Sequence, residues 1–140
     1  ELFDQPVIGL AMRFGGDIPV RRGDGESVRA MMAEAKAALS AGISVMMFPE
    51  GTRGSDGKLL PFKEGAFDLA IAAGVGVLPV ALSGTRECRP KHSKWFGHAR
   101  ATARVLEAIP PRAPGEGAAT ALAAEARVRI QRGLDELRAR

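Results

Sequence analysis

Phe48-Pro49-Glu50-Gly51-Thr52-Arg53 holds a carboxylate and a guanidinium three residues apart, directly behind the apolar run Ile43-Ser44-Val45-Met46-Met47-Phe48. Pro49 keeps Phe48 out of the helical region and ends an extended segment abruptly. Gly51 permits a tight turn, so Glu50 and Arg53 can project over the same strand end. A guanidinium fork matches phosphate oxygens, and a carboxylate accepts from hydroxyls or holds the arginine in place. The pair therefore suits a ligand carrying both hydroxyls and a phosphate. Other nucleophile and phosphate patterns fail. Residues 51–58 lack P-loop spacing, with Leu59 where a Ser or Thr would bind magnesium. Ser83, in Ala81-Leu82-Ser83-Gly84-Thr85, lacks the first glycine of a nucleophile elbow.

Such a loop needs a scaffold, and hydrophobic periodicity supplies one. Residues 6–14 read as a short helix ended by Gly15-Gly16, and 17–20 as a short extended piece limited to an edge by Pro19. Asp24 or Ser27 can cap a helix running to about residue 40, with Val28, Met31, Met32, Ala35 and Leu39 at helical spacing and Gly42 as its stop. Residues 43–48 suit a strand buried on both faces. A glycine-rich loop follows over 49–61, then a helix over 63–73, a buried strand over 75–82, a long loop, and a strand over 101–109. Residues 118–138 form a terminal helix, with Leu122, Ala126, Ile130, Leu134 and Leu137 along one face. Alternating strands and helices predict an α/β fold, a largely parallel sheet with helices on both faces. Ligands in such sheets sit at the carboxyl ends of the strands, where the Pro49 loop begins.

At 140 residues with 46% apolar content, the chain is long and apolar enough for one core. One cysteine excludes a disulfide framework and any multi-cysteine metal site, and two histidines leave little for a histidine site, so no metal and no cofactor is expected. The cysteine count suits a cytosolic compartment. The longest uncharged stretch, 69–85, is broken by Gly74, Gly76, Pro79 and Ser83, and reads as a helix and strand rather than a membrane span. The net charge of +4 is uneven. Residues 86–104 hold six basic residues and one acidic, together with Trp95, Phe96, His92 and His98. That composition fits a solvated loop or a surface for phosphate-bearing partners or a membrane. No recognition motif accompanies it, so no nucleic acid is expected.

Taken as whole strings, these elements resemble the glycerolipid acyltransferase family, most closely bacterial 1-acylglycerol-3-phosphate (lysophosphatidic acid) acyltransferases. Phe48-Pro49-Glu50-Gly51-Thr52-Arg53 is similar to the family's third motif, followed by Leu60-Pro61-Phe62-Lys63-Glu64-Gly65. Gly16-Asp17-Ile18-Pro19-Val20-Arg21-Arg22 resembles the second, and Val77-Leu78-Pro79-Val80 the fourth. The resemblance implies a glycerol-3-phosphate acyltransferase-like fold and transfer of an acyl group from acyl-CoA or acyl carrier protein to 1-acylglycerol 3-phosphate, giving phosphatidic acid. It implies that Arg22, Glu50 and Arg53 contact the glycerol phosphate head, with Gly51 and Thr52 in the same substrate-binding string and Lys63 adding charge. Pro79 would shape the pocket or the acyl site. A membrane surface is the implied partner, at its cytoplasmic face.

The family's first motif, His-x-x-x-x-Asp, supplies the general base and its orienting acid, and it is absent. Gly97 stands five positions after His92, and Ala103 five after His98. No catalytic residue is therefore assigned in this chain. Together with the start at Glu1, this predicts a carboxy-terminal portion, residues 1–140, of a single acyltransferase domain whose base, and any membrane anchor, lies upstream. The alternatives are a non-catalytic module binding phospholipid or glycerol phosphate, or an acyltransferase acting on glycerol 3-phosphate or another lipid acceptor.

Overall fold

A computed structural model describes residues 5–21, 23–52, 54, 58–88 and 97–139. The chain divides into two compact units, Glu1–Met46 and Met47–Arg140.

The first unit holds two helices. α1 (Pro6–Phe14) starts on a proline, which lacks only an N–H that the first turn would leave without an intrahelical partner. α2 (Gly25–Ser40) is capped by Asp24, whose carboxylate accepts from the N–H groups of Glu26 and Ser27 at 2.9 and 3.2 Å. The Arg21 N–H donates to Ser27 Oγ at 2.8 Å, tying the incoming chain to the same turn. Gly42, at φ +78°, stops the helix as its position predicts, and the Ile43 N–H closes back on the Ala38 carbonyl at 2.9 Å.

The second unit contains α3 (Gly65–Ala73), β1 (Val80–Ser83), the four-residue α4 (Thr85–Cys88), β2 (Thr102–Val105) and α5 (Ala118–Arg138). Its core gathers Phe67 of α3, Ile109, and Ala119, Leu122, Ala123 and Ala126 of α5. Those α5 positions recur every three or four residues, so one stripe of the helix faces inward. The opposite flank carries Glu125–Arg129 and Arg132–Glu136 ion pairs one turn apart. Gly133 lets α5 press onto the sheet, since a Cβ there would lie 2.9 Å from Leu106 Cδ2 and 3.2 Å from Ala81 Cβ.

β1 and β2 pair antiparallel, Val80 opposite Val105 through Ser83 opposite Thr102. A further antiparallel bridge joins Val77 and Ile109. Between them Leu78 and Pro79 face three residues, 106–108, a bulge that accommodates a proline with no N–H to donate. Where the sequence predicts crossovers and a largely parallel sheet, the described residues thus form an antiparallel pair. Among its described residues the connection from β1 to β2 carries the four-residue α4.

Two further differences bear on the site. Residues 43–48, expected as a buried strand, pair with no described residue, and Met46 and Phe48 are 78% and 67% exposed. An apolar run becomes a strand only through neighbours that take its backbone hydrogen bonds. The third helix begins at Gly65 rather than at residue 63, and the Lys63 N–H ahead of it donates to the Pro49 carbonyl at 2.8 Å.

Candidate functional site

The segment from Pro49 to Lys63 is a closed loop. Gly51 N–H donates to the Phe48 carbonyl at 3.0 Å, making the turn that the Pro-Glu-Gly sequence anticipates. Gly51 itself sits at φ +67°, a left-handed conformation that glycine adopts without Cβ strain. Lys63 returns alongside: its N–H meets the Pro49 carbonyl, and its Cε and Nζ lie 3.0 Å from where a Gly51 Cβ would stand. The ammonium of Lys63 therefore lies over the backbone of the motif it follows by twelve positions.

Glu50 is half-buried, and its Oε2 accepts the Leu60 N–H at 2.8 Å. Sequence reasoning assigned this carboxylate to hydroxyls or to the arginine; the structure adds a backbone partner ten residues on. A carboxylate has several acceptor positions, so one such bond orients it and leaves capacity for a ligand. Thr52 is exposed. The base of the loop is fixed by Phe62, whose ring stacks on Phe67 with centroids 6.1 Å apart. That contact anchors the returning chain to the core while the lysine beside it stays exposed.

The structure thus brings together Glu50, Gly51, Thr52 and Lys63. Arg22 and Arg53 lie outside the described residues. Pro79 is buried at the sheet bulge, where its carbonyl accepts the Leu106 N–H at 3.0 Å. Most of the basic segment, residues 89–96 with His92, Trp95 and Phe96, also lies outside the described residues, whereas His98 is described and exposed.

Helix α5 contributes two residues that motif reading missed. Thr120 Oγ1 donates to Glu64 Oε1 at 2.6 Å, and Arg127 donates to the carbonyls of Leu59 and Leu60 at 3.2 and 3.4 Å. Seven residues apart, they share one edge of the helix and grip the loop at two points. Their signal in the sequence is slight: two polar positions at two-turn spacing beside the buried stripe. An open groove of about 380 Å³ between β2 and α5 is separate from this loop. Arg104, Glu107, Arg129, Arg132 and Glu136 line it, and these charges pair with one another. Among the described residues, no helix is long and apolar enough to cross a membrane.

The sequence profile described as Acyltransferase matches residues 1–83, which include all of this loop. The chain belongs to the acyltransferase family. Among its acyltransferase relatives, the chloroplastic 1-acyl-sn-glycerol-3-phosphate acyltransferase BAT2 of Brassica napus is 43% identical over 93 residues, 66% of this chain and 27% of that protein. The human 1-acyl-sn-glycerol-3-phosphate acyltransferase beta is 39% identical over 111 residues, 79% of this chain and 40% of that protein. The crystal structure of the 1-acyl-sn-glycerophosphate acyltransferase PlsC from Thermotoga maritima superposes with a TM-score of 0.79 at 30% identity, over 99% of this chain and 54% of that one. The described chain therefore has an acyltransferase fold. It spans 27% to 40% of the length of these two curated relatives.

Proposed function

We propose that the protein containing these residues transfers an acyl group from a thioester, acyl-CoA or acyl carrier protein, to 1-acylglycerol 3-phosphate, giving phosphatidic acid for phospholipid synthesis. One observation carries the reading: residues 48–52 of the motif turn so that Glu50 is oriented by a backbone N–H and the Lys63 ammonium lies over Gly51. An oriented carboxylate with a cationic side chain over the same turn suits an acceptor bearing a hydroxyl and a phosphate. In this reading Glu50, Gly51, Thr52 and Arg53 line the acceptor head, Lys63 adds charge, Arg22 is a further phosphate contact, and Pro79 shapes the acyl pocket.

The acceptor hydroxyl attacks the thioester carbonyl, the carbon–sulfur bond breaks, and the hydroxyl proton leaves through a base to the departing thiol. The base is the histidine of a His-x-x-x-x-Asp motif outside residues 1–140, which form the carboxy-terminal portion of a single acyltransferase domain. In that whole domain residues 43–48 are a parallel strand, with helices on both faces of the sheet, and the loop leaves its carboxyl end. The reaction takes place at the cytoplasmic face of a membrane, reached peripherally or through an upstream anchor.

The test is acyl transfer by the full-length protein from labelled acyl-CoA and acyl carrier protein, with 1-acylglycerol 3-phosphate and glycerol 3-phosphate as rival acceptors. Phosphatidic acid is the expected product. Transfer to glycerol 3-phosphate alone would reassign the acceptor. Binding of 1-acylglycerol 3-phosphate without transfer to either acceptor would favour the non-catalytic module.

A further inference from the structure

The carbonyl of Leu59 and the N–H of Leu60 belong to one peptide group, and in a trans peptide the two point in opposite directions. Each is occupied. Arg127 Nη2 donates to the Leu59 oxygen at 3.2 Å, while the Leu60 N–H donates to Glu50 Oε2 at 2.8 Å. A cation, a peptide dipole and an anion are thus aligned in a single chain of hydrogen bonds. Such chains polarise one another, so the cation on the carbonyl strengthens the bond the N–H gives to the carboxylate. Arg127 Nε also donates to the next carbonyl, Leu60, at 3.4 Å, so the planar fork spans two successive peptides and resists rotation of the Leu59–Leu60 peptide. The helix that carries Arg127 is itself held: Leu122, Ala123 and Ala126 are in the core, and Thr120 holds Glu64 two turns away.

We propose that Arg127 is a positioning residue for the acceptor site, orienting the Glu50 carboxylate through the Leu59–Leu60 peptide without touching substrate. The proposal rests on the reading of the Glu50 loop as the acceptor site. It assigns a role to α5, which lies beyond the residues that the family profile matches.

The test uses the full-length protein with Arg127→Met, which keeps length and loses the donors, Arg127→Lys, Glu50→Ala and the Arg127→Met/Glu50→Ala double variant. Arg127→Met should raise KM for 1-acylglycerol 3-phosphate about three- to tenfold, the scale of one ordinary hydrogen bond, because the loss reaches Glu50 only through the peptide. KM for the acyl donor should not change, and Arg127→Lys should recover part of the loss. In the Glu50→Ala background, Arg127→Met should add nothing to the acceptor KM. Hydrogen exchange of the segment 49–63 should quicken in Arg127→Met while that of α5 does not, a readout that needs no activity. Unchanged exchange over 49–63, equal losses for both substrates, or the same factor with and without Glu50 would each overturn the positioning role. If Glu50→Ala alone leaves the acceptor KM at its wild-type value, the acceptor reading itself fails and the proposal with it. If Glu50→Ala raises that KM and Arg127→Met does not, the proposal alone fails.

Discussion

In the proposed function, Arg22 and Arg53 are the two guanidinium groups that meet the acceptor phosphate. In the full-length protein, Arg53→Ala and Arg22→Ala should each raise the acceptor KM by roughly 10- to 150-fold, as loss of a charge-assisted contact costs about 1.5–3 kcal/mol. Arg53→Lys should restore only part, since a point charge cannot reproduce the fork. Steady-state kinetics with 1-acylglycerol 3-phosphate as the varied substrate checks both, and a wild-type KM in the two alanine variants would remove the phosphate assignment. Gly51 tests the loop differently. Its φ of +67° strains any L side chain, and an alanine Cβ would meet the Lys63 side chain at 3.0 Å. Gly51→Ala should cost about 1–2 kcal/mol of stability for the left-handed backbone alone. It should also displace the Lys63 ammonium. Chemical denaturation and the acceptor KM measure the two effects separately.

At the scale of elements, α5 connects the core to the loop, and its two faces should respond to mutation unequally. Leu122 is 1% exposed among Phe67, Ile109 and Ala126, whereas Val128 on the same helix is 68% exposed. Leu122→Ala should lower unfolding stability by about 2–5 kcal/mol, the transfer loss plus the cavity left behind. Val128→Ala should stay within about 0.5 kcal/mol. The measurement is a shift in urea midpoint at constant slope. A Leu122→Ala midpoint equal to that of Val128→Ala would mean that α5 does not pack as described. Glu125 of the same helix pairs with Arg112 and Arg129.

For the whole molecule, the distribution of chemistry along the chain decides what the 140 residues can do alone. The acceptor motifs are present and no His-x-x-x-x-Asp accompanies them. The isolated chain should therefore show no acyl transfer above a heat-killed control, while the full-length protein turns over. Loss of a general base typically removes a factor of about 10²–10⁴. Residues 86–104 carry a net charge of +5, with six basic residues and one acidic, beside Trp95 and Phe96. Near an anionic surface each basic side chain contributes about 1 kcal/mol, and aromatic rings favour the headgroup zone. Sedimentation with vesicles should show binding that needs anionic lipid and weakens with salt. A Lys91→Glu, Lys94→Glu, Trp95→Ala variant should bind less, and unchanged partitioning would return the segment to an ordinary solvated loop.

Local rules were enough for α1, for α2 with its Asp24 cap and Gly42 stop, and for the full length of α5, because capping and a 3.6-residue apolar stripe are encoded within the element itself. The Phe48 to Arg53 string and the Gly51 turn were legible for the same reason: Pro and Gly act on their own backbone. Sheet pairing was not. Whether residues 43–48 or 75–82 form strands, and in which direction they pair, depends on neighbours distant in sequence, as the antiparallel pairing of β1 with β2 does. Nor could the sequence place Arg127 and Thr120 against the loop some 60 residues earlier. A polar residue on a helix edge has no local mark distinguishing solvent from a carbonyl donated by another segment. Only the packing of Leu122, Ala123 and Ala126 into the core, which sets the rotation of α5, turns that edge toward Leu59, Leu60 and Glu64.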